Sequence, residues 1–502
     1  MARRRQVPGR STVDKDLGKF TYLEEAGQFV ARGLVRPAAG LIFLVLAGLL
    51  SSLYVGNSPG AIGIIAGATL GAYMAMNIGA NDVTNNVGAA VGAKAMTMVQ
   101  ALVIAAVFDA AGALLAGGEV VRTISSGIVQ GGSMPSGDVF IWVMLSALLA
   151  AALSVNLATW LNAPVSTTHA IVGGVLGAGV AAAGFSAISW SAMREITLSW
   201  VLSPLISGVI AAGFLAFIYE FIVYRQNKIA AAVTWLPVLL GVMSGSFMAY
   251  LAFKGLENVV NITLKEALAA GLVIGIATWA ASIPVIRQRA IGLENRNLSL
   301  RKLFRLPLVF SAALLSFAHG ANDVSNAIGP LSAIVHATSS SGLTDTVSIP
   351  LWVMTIGAFG ISAGILLFGP RLILIVGKQI TRLNPIRAFC VAISAAVTVL
   401  VASWFGLPVS STHIAIGSVF GVGFFREWYM QNSKRRAAYI AMRAGENDVV
   451  KPKRKATPEE ARRRYLVRRS HFLTIIAAWV VTVPVAALLA AAIYKMLALL
   501  SA

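Results

Sequence analysis

Apolar residues in this chain gather into runs long enough to enter or cross a lipid bilayer. They lie near 38–56, 61–79, 98–117, 138–160, 161–182, 198–222 and 232–254. A second series follows near 267–286, 306–319, 324–336, 348–369, 386–406, 407–424 and 471–500. A helical span takes about 20 predominantly apolar residues. Several runs fall short of that, or are interrupted by Gly, Pro, Asn and Asp. The pattern therefore predicts an all-α integral membrane protein with about 12 membrane segments, including broken or re-entrant half-helices. About nine full spans are expected if each interrupted motif sits on a re-entrant pair.

Composition agrees with a lipid environment. Hydrophobic residues make up 57% of the 502 and charged residues only 12%, about half the ~25% of a soluble protein. The 47 glycines suit helices packed closely in a membrane. A single cysteine, Cys390, excludes an intrachain disulfide, a cysteine zinc cluster and a CxxC redox pair. It reads as a small packing residue.

The formal charge of +20 invites a nucleic-acid reading, but its distribution argues against one. Residues 1–36 hold eight Lys or Arg, 224–230 two, 285–306 six and 426–469 fourteen, all flanking apolar runs. Cytoplasmic loops collect such residues, so these segments mark the inner face. No aromatic platform or nucleic-acid motif accompanies them, and no nucleic-acid partner is expected. The basic stretch Lys451–Lys455 and Arg462–Arg469 suits anionic lipid heads. No small-residue cleavage site closes the run after Arg36, so a cleaved signal peptide is not expected.

The chain also repeats itself. Asn77-Ile-Gly-Ala-Asn-Asp-Val-Thr-Asn85 recurs 241 positions later as Ala318-His-Gly-Ala-Asn-Asp-Val-Ser-Asn326. Ala163-Pro-Val-Ser-Thr-Thr-His169 recurs 244 positions later as Leu407-Pro-Val-Ser-Ser-Thr-His413. Two motifs in the same order at nearly one offset indicate an internal duplication. With the N-terminus inside, the span at 38–56 starts the first copy outside, whereas the second copy follows the basic 285–306 loop and starts inside. The copies are then inverted, the architecture of many secondary transporters.

The expected organisation is a basic cytoplasmic segment (1–37), a first span and loop (38–60), a first repeat (61–197) and central helices with a basic loop (198–305). A second repeat (306–425), a basic cytoplasmic segment (426–470) and a last span (471–502) that leaves the C-terminus outside complete it. The expected location is the inner (plasma) membrane.

Asn81, Asp82 and Asn85, with Asn322, Asp323 and Asn326, interrupt apolar stretches. An ionised carboxylate at bilayer depth costs at least ~2.5–3.5 kcal/mol, so it persists where it faces a cavity and has a partner. A lone Asn is ordinarily helix-packing glue. An Asn-Asp with a second Asn one turn on, present twice, points instead to function. In the second motif, Pro164 and Pro408 precede hydroxyl triplets: Ser166, Thr167, Thr168 and Ser410, Ser411, Thr412. Pro suits the first turn of a helix and Ser or Thr its cap. A half-helix starting there offers free backbone N–H groups, three hydroxyls and the positive end of its dipole, which together form an anion site. Two of them from opposed repeats enclose a tetrahedral oxyanion.

Carboxylates beside an anion make sense when cations lie between. Asp82 and Asp323 with Asn81, Asn85, Asn322 and Asn326 are hard oxygen ligands suited to Na⁺, and a proton is the other choice. His169 and His413 read as packing residues. His319 has Ile78 as its counterpart, and that asymmetry argues against an essential paired role. Asp109 is a better cavity candidate than Glu119, which lies near the end of its run.

At these motifs the chain resembles the inorganic phosphate transporter (Pit) family. The resemblance rests on Gly79-Ala-Asn-Asp-Val83 with Asn85, Gly320-Ala-Asn-Asp-Val324 with Asn326, and both Pro-Val-Ser-X-Thr-His segments, over about 61–424. It implies inverted repeats, a homodimer, and phosphate bound with Na⁺ between the Asp residues and the hydroxyl triplets. By that resemblance the site residues are Asn81, Asp82, Ser166, Thr167, Thr168, Asn322, Asp323, Ser410, Ser411 and Thr412, with Asn85 and Asn326 also matching. Asp109 stands where many relatives have Glu, and Ala392 where an acidic residue is common.

The expected function is a symporter importing inorganic phosphate with Na⁺ or H⁺ by alternating access, with a sulfate symporter on the same scaffold as the alternative. No catalytic residues or cofactors are expected. An enzyme would need a nucleophile with a positioned base, for which Ser or Thr near His at 166–169 is the single hint. A channel would need no sealed midplane site.

Overall fold

The computed structural model describes residues 12–56, 60–129, 131–161, 165–255, 262–339, 349–379, 383–444 and 469–501. Helices dominate: α1 (Thr12–Val55), α2 (Ala61–Gly92), α3 (Met98–Ala116), the short α4 (Gly118–Arg122), α5 (Gly137–Trp160), α6 (Thr167–Ala183), α7 (Trp190–Ile218), α8 (Lys228–Tyr250) and α9 (Leu264–Ala290). They continue with α10 (Asn297–Leu303), α11 (Arg305–Asp323), α12 (Ser325–Ser339), α13 (Leu351–Gln379), α14 (Pro385–Trp404), α15 (Ser411–Asn432), α16 (Lys434–Ala444) and α17 (Arg469–Ser501). Single π-helical turns follow α4, α7 and α8, at Thr123–Gly127, Tyr219–Val223 and Leu251–Gly255.

Polar residues set many of the helix starts. Thr97 and Gln100 form a reciprocal cap on α3, Thr263 and Glu266 do the same on α9, and Asn384 caps α14 ahead of Pro385. Among the described residues, ten helices are long and apolar enough to cross a membrane, or eleven if the bent α10 and α11–α12 pair is one span. The 17-residue α6 is too short to cross. Leu41, Leu49, Val209, Leu272 and Leu488 stay exposed on the outer helices, as lipid contact requires. The protein is a multi-pass membrane protein.

Two expectations change here. The first Asn-Asp motif does not interrupt its helix, because α2 runs without a break through Asn81 and Asp82. The second motif produces a single-residue turn at Val324, between α11 and α12. Asn and Asp keep their backbone N–H, so the helical ladder survives wherever the side chains find partners on other helices. The real breaks precede α6 and α15, where Val165–Ser166 and Leu407–Ser410 are extended. Pro164 lies outside the described residues, as do 1–11 and 445–468 of the two basic segments. Within the second basic segment, Lys434–Ala444 forms α16, where Arg435 pairs with Glu220 of the π turn after α7.

Packing follows the duplication. A Cβ on Gly79 of α2 would fall on the carbonyl oxygen of Ile361 in α13, and one on Gly364 of α13 on that of Met76 in α2. The same exchange joins α3 and α11: Gly112 lies against Phe317, and Gly320 against Asp109. Each copy's motif helix therefore packs on a helix of the other copy. The half-helices are matched as well. Gly173 and Gly177 of α6 abut Val483 and Ala487 of α17, while Gly417 and Gly421 of α15 abut Pro204 and Gly208 of α7. These glycines let helix axes approach to backbone contact and bury the polar motifs between them.

A methyl group at such a contact meets backbone rather than a movable side chain, and overpacking costs ~1–3 kcal/mol. Gly79→Ala and Gly320→Ala should each lower the folded fraction in a heating series of detergent-solubilised protein. Gly213→Ala, with nothing within 4 Å of the new methyl, should track the wild type.

Candidate functional site

Asp82 lies in the middle of α2 and is 1% exposed. Its Oδ2 accepts from the Thr167 hydroxyl at 3.0 Å, and its Oδ1 accepts from Thr412 at 3.2 Å and from the Asn85 amide at 3.2 Å. Thr167 begins α6 and Thr412 sits in the first turn of α15, so one carboxylate gathers both hydroxyl motifs. On the other copy, Asp323 Oδ2 accepts from Ser411 at 2.9 Å. The Asn residues one turn on reach across the duplication. Asn85 donates to Thr412 at 2.8 Å, and Asn326 donates to Thr168 at 3.1 Å. All four sequence motifs converge on one buried centre.

Asn322 holds the segment before α15. Asn322 donates to Ser403 Oγ at 3.0 Å and to the Leu407 carbonyl at 3.1 Å, while its Oδ1 accepts from Val409 N at 3.1 Å. This amide therefore clamps the break before α15. The Asn81 amide lies 2.9 Å from Thr159 Oγ1, the counterpart contact on α5. Trp200 Nε1 donates to the Pro408 carbonyl at 3.0 Å and steadies the same break.

The first Ser of each triplet is a helix cap. Ser166 Oγ accepts from His169 N at 3.1 Å and Ser410 Oγ from His413 N at 3.3 Å, in the ordinary N-cap geometry. Thr168 donates to the Val409 carbonyl at 3.0 Å, joining the two breaks directly. The rings of His169 and His413 sit 4.7 Å apart, and Trp200 meets His169 edge-on. Both histidines pack where the half-helices meet, as expected.

His319 is the residue that sequence reasoning set aside. It is fully buried on α11, its Nδ1 pairs with Asp109 Oδ1, and its Nε2 lies 3.0 Å from Asp323 Oδ2 and 3.8 Å from Asp82 Oδ2. Asp109, on α3, also accepts from Asn86 at 3.2 Å. One imidazole thus stands among three buried carboxylates from three helices. The asymmetry with Ile78 argues against an essential paired role, yet His319 lies at the centre of the site. The glycine contacts above place Ile361 where Asp109 would recur, so the second copy of this pair is Ile78 with Ile361, both fully buried. Neither His319 nor Asp109 is repeated in the other copy.

The centre is poor in positive charge. Three carboxylic groups there face a single imidazole, a balance that suits cations or protons. Asp323 Oδ1, Asn326 Oδ1 and Asn86 Oδ1 are buried oxygens without a donor, the type of group a hard cation coordinates. Asp82, His319 and Asp323 also bring one ligand atom each to within 4.8 Å of one another. Hydroxyls and the free amides of the α6 and α15 starts lie beside these oxygens, so anion donors and cation acceptors adjoin. Cys390 is buried among apolar residues on α14, apart from this chemistry.

Residues 78–490 match the phosphate transporter family. A protein of Helicobacter pylori, provisionally named a phosphate permease, is 43% identical, over 95% of this chain and 98% of its own. One from Thermococcus kodakarensis with the same provisional name is 36% identical, over 85% of this chain and 96% of its own. A solved structure of a sodium-dependent phosphate transporter is similar at a TM-score of 0.76 and 31% identity, covering 87% of this chain and 99% of that one. The folded arrangement of doubled motifs, the family match and the near full-length relatives agree: this chain belongs to the phosphate transporter family.

Proposed function

We propose that the chain imports inorganic phosphate by symport, binding the anion between the starts of α6 and α15 and the coupling cations at Asp82 and Asp323. The observation that carries this reading is the pair of crossed bonds, Asn85 to Thr412 and Asn326 to Thr168. They unite the two copies at one dehydrated centre, where a site for alternating access belongs. Thr167, Thr168, Ser411 and Thr412 donate to phosphate when it enters, and Ser166 and Ser410 hold the helix starts that aim free amides at it. Cations bind first. They offset the carboxylates, and only then does a dianion meet an attractive field.

Na⁺ is the coupling ion this reading favours, because undonated oxygens at Asp323, Asn326 and Asn86 suit a hard cation. The similarity to a sodium-dependent phosphate transporter agrees. H⁺ is the second reading, favoured by His319 between Asp109 and Asp323, where an imidazole can take up a proton. Phosphate rather than sulfate is proposed, in line with the family.

The repeats are read as inverted. α5–α6 enters from one side and α14–α15 from the other, with the basic segments cytoplasmic, the N-terminus inside and the C-terminus outside. The inner (plasma) membrane is the proposed location.

Three outcomes test these proposals. Asp82→Asn and Asp323→Asn should each reduce phosphate uptake into proteoliposomes at least about tenfold, the effect of ~1.4 kcal/mol, with insertion intact by gel filtration. Wild-type uptake in both variants would remove the carboxylates from the mechanism. An imposed inward Na⁺ gradient should drive uptake when a pH gradient alone does not, and equimolar sulfate should leave the rate largely unchanged. Dependence on the pH gradient alone would favour the proton reading. Finally, with Cys390 buried, Ser186→Cys should react with an impermeant thiol reagent in intact cells and Arg296→Cys only after permeabilisation. Labelling of both from one side would defeat the inverted topology.

A further inference from the structure

A small polar cavity of about 110 Å³ opens where α3, α8 and α14 end together. A single water needs only ~10–15 Å³ of such space, so a small oxyanion fits. Glu119, Arg122, Tyr250, Lys254, Ser403 and Trp404 line it. Glu119 Oε1 lies 3.2 Å from Arg122 Nη1 and 3.6 Å from Lys254 Nζ. Two cations therefore share one carboxylate oxygen, and the cavity holds more basic than acidic groups, the reverse of the buried centre.

A hydrogen bond ties the cavity wall to that centre. Ser403, in its wall, accepts the amide hydrogen bond of Asn322, the neighbour of Asp323. Thr123, the residue after Arg122, donates to the Gly406 carbonyl at 2.7 Å. Gly406 takes φ +65°, a left-handed conformation that starts the break before α15. Arg122 immediately precedes one π-helical turn and Lys254 lies within another. Such turns cost helix regularity and are frequent at functional sites.

We propose that Arg122 and Lys254 form an entry site for phosphate, at which the anion displaces Glu119 from the two cations before it moves past Ser403 to the buried centre. The proposal rests on the transport function above. Phosphate approaches with more than one negative charge, and a centre rich in acidic groups offers it no long-range attraction. A positive mouth with low-dielectric walls raises the local concentration of the anion. Glu119 keeps the two cations paired when the site is empty and competes with the anion, so release inward is not blocked by tight binding. Under the proposed topology this mouth faces outside. The chemistry fits a phosphate group whether free or on a lipid head, and the bond from Ser403 to the motif favours the free ion.

The test is phosphate uptake by full-length protein in phosphatidylcholine vesicles at fixed Na⁺. Arg122→Gln and Lys254→Gln should each raise KM for phosphate by about tenfold, the low end of the gain a charged cleft provides, with Vmax changed far less. Arg122→Lys should stay near the wild type, which separates lost charge from lost folding. Glu119→Gln should lower KM. Raising ionic strength with choline chloride should increase the wild-type KM and leave that of the double Gln variant nearly flat. An unchanged KM in both Gln variants overturns the entry site. So does a KM effect seen only when phosphatidylglycerol is added, since the cavity would then hold lipid head groups. Lack of phosphate uptake by the wild type itself would instead remove the transport reading, and this one with it.

Discussion

Asp82, Asp109 and Asp323 are each at most 1% exposed, and a buried carboxylate is tolerable only when its lone pairs and its charge are both answered. Here hydroxyls of Thr167, Ser411 and Thr412 answer part of the lone pairs, the amides of Asn85 and Asn86 answer more, and His319 answers part of the charge. What remains is an excess of acidic over basic groups in a buried space. Under the proposed symport, such an imbalance would link the two cargoes: cations lower the electrostatic cost of the anion, and the anion raises the affinity for cations. Linkage of this sort is reciprocal by thermodynamics.

The helix pairing explains why such a centre holds together. Were each copy to pack on itself, the two Asn-Asp motifs would lie in separate halves. The glycine contacts instead lay α2 on α13 and α11 on α3, so the motif helices cross between copies. Hydrogen bonds then join residues 158 to 330 positions apart. Small residues supply proximity and polar residues supply direction. Neither suffices in lipid, where apolar contact between helices competes with equally apolar lipid tails.

Much of this was legible in the sequence. The extents of most helices followed the apolar runs, and the doubled motifs located the centre because duplication makes a weak polar signal specific. The half-helix starts at Thr167 and Ser411 followed from Pro and hydroxyl chemistry. Asn81 and Asn322 were picked out for their type, but their contacts with Thr159 and Ser403 were not, because those two residues carry no motif. His319 was set aside because a one-sided residue resembles an accident. Its partner Asp109 comes from another helix 210 positions away, and local pattern does not reach that far.

The crossed arrangement also bears on how the chain is made. Thr412, which donates to Asp82, lies 330 residues later in the chain. At ~5–20 residues per second of synthesis, the first motif helix waits roughly 20–60 s for that hydroxyl to be made. During this interval the aspartate must rest near water, at the membrane interface or within the insertion machinery. The first half of the protein is in this sense an unfinished surface, and assembly is gated by the arrival of the last helices rather than by the insertion of the first.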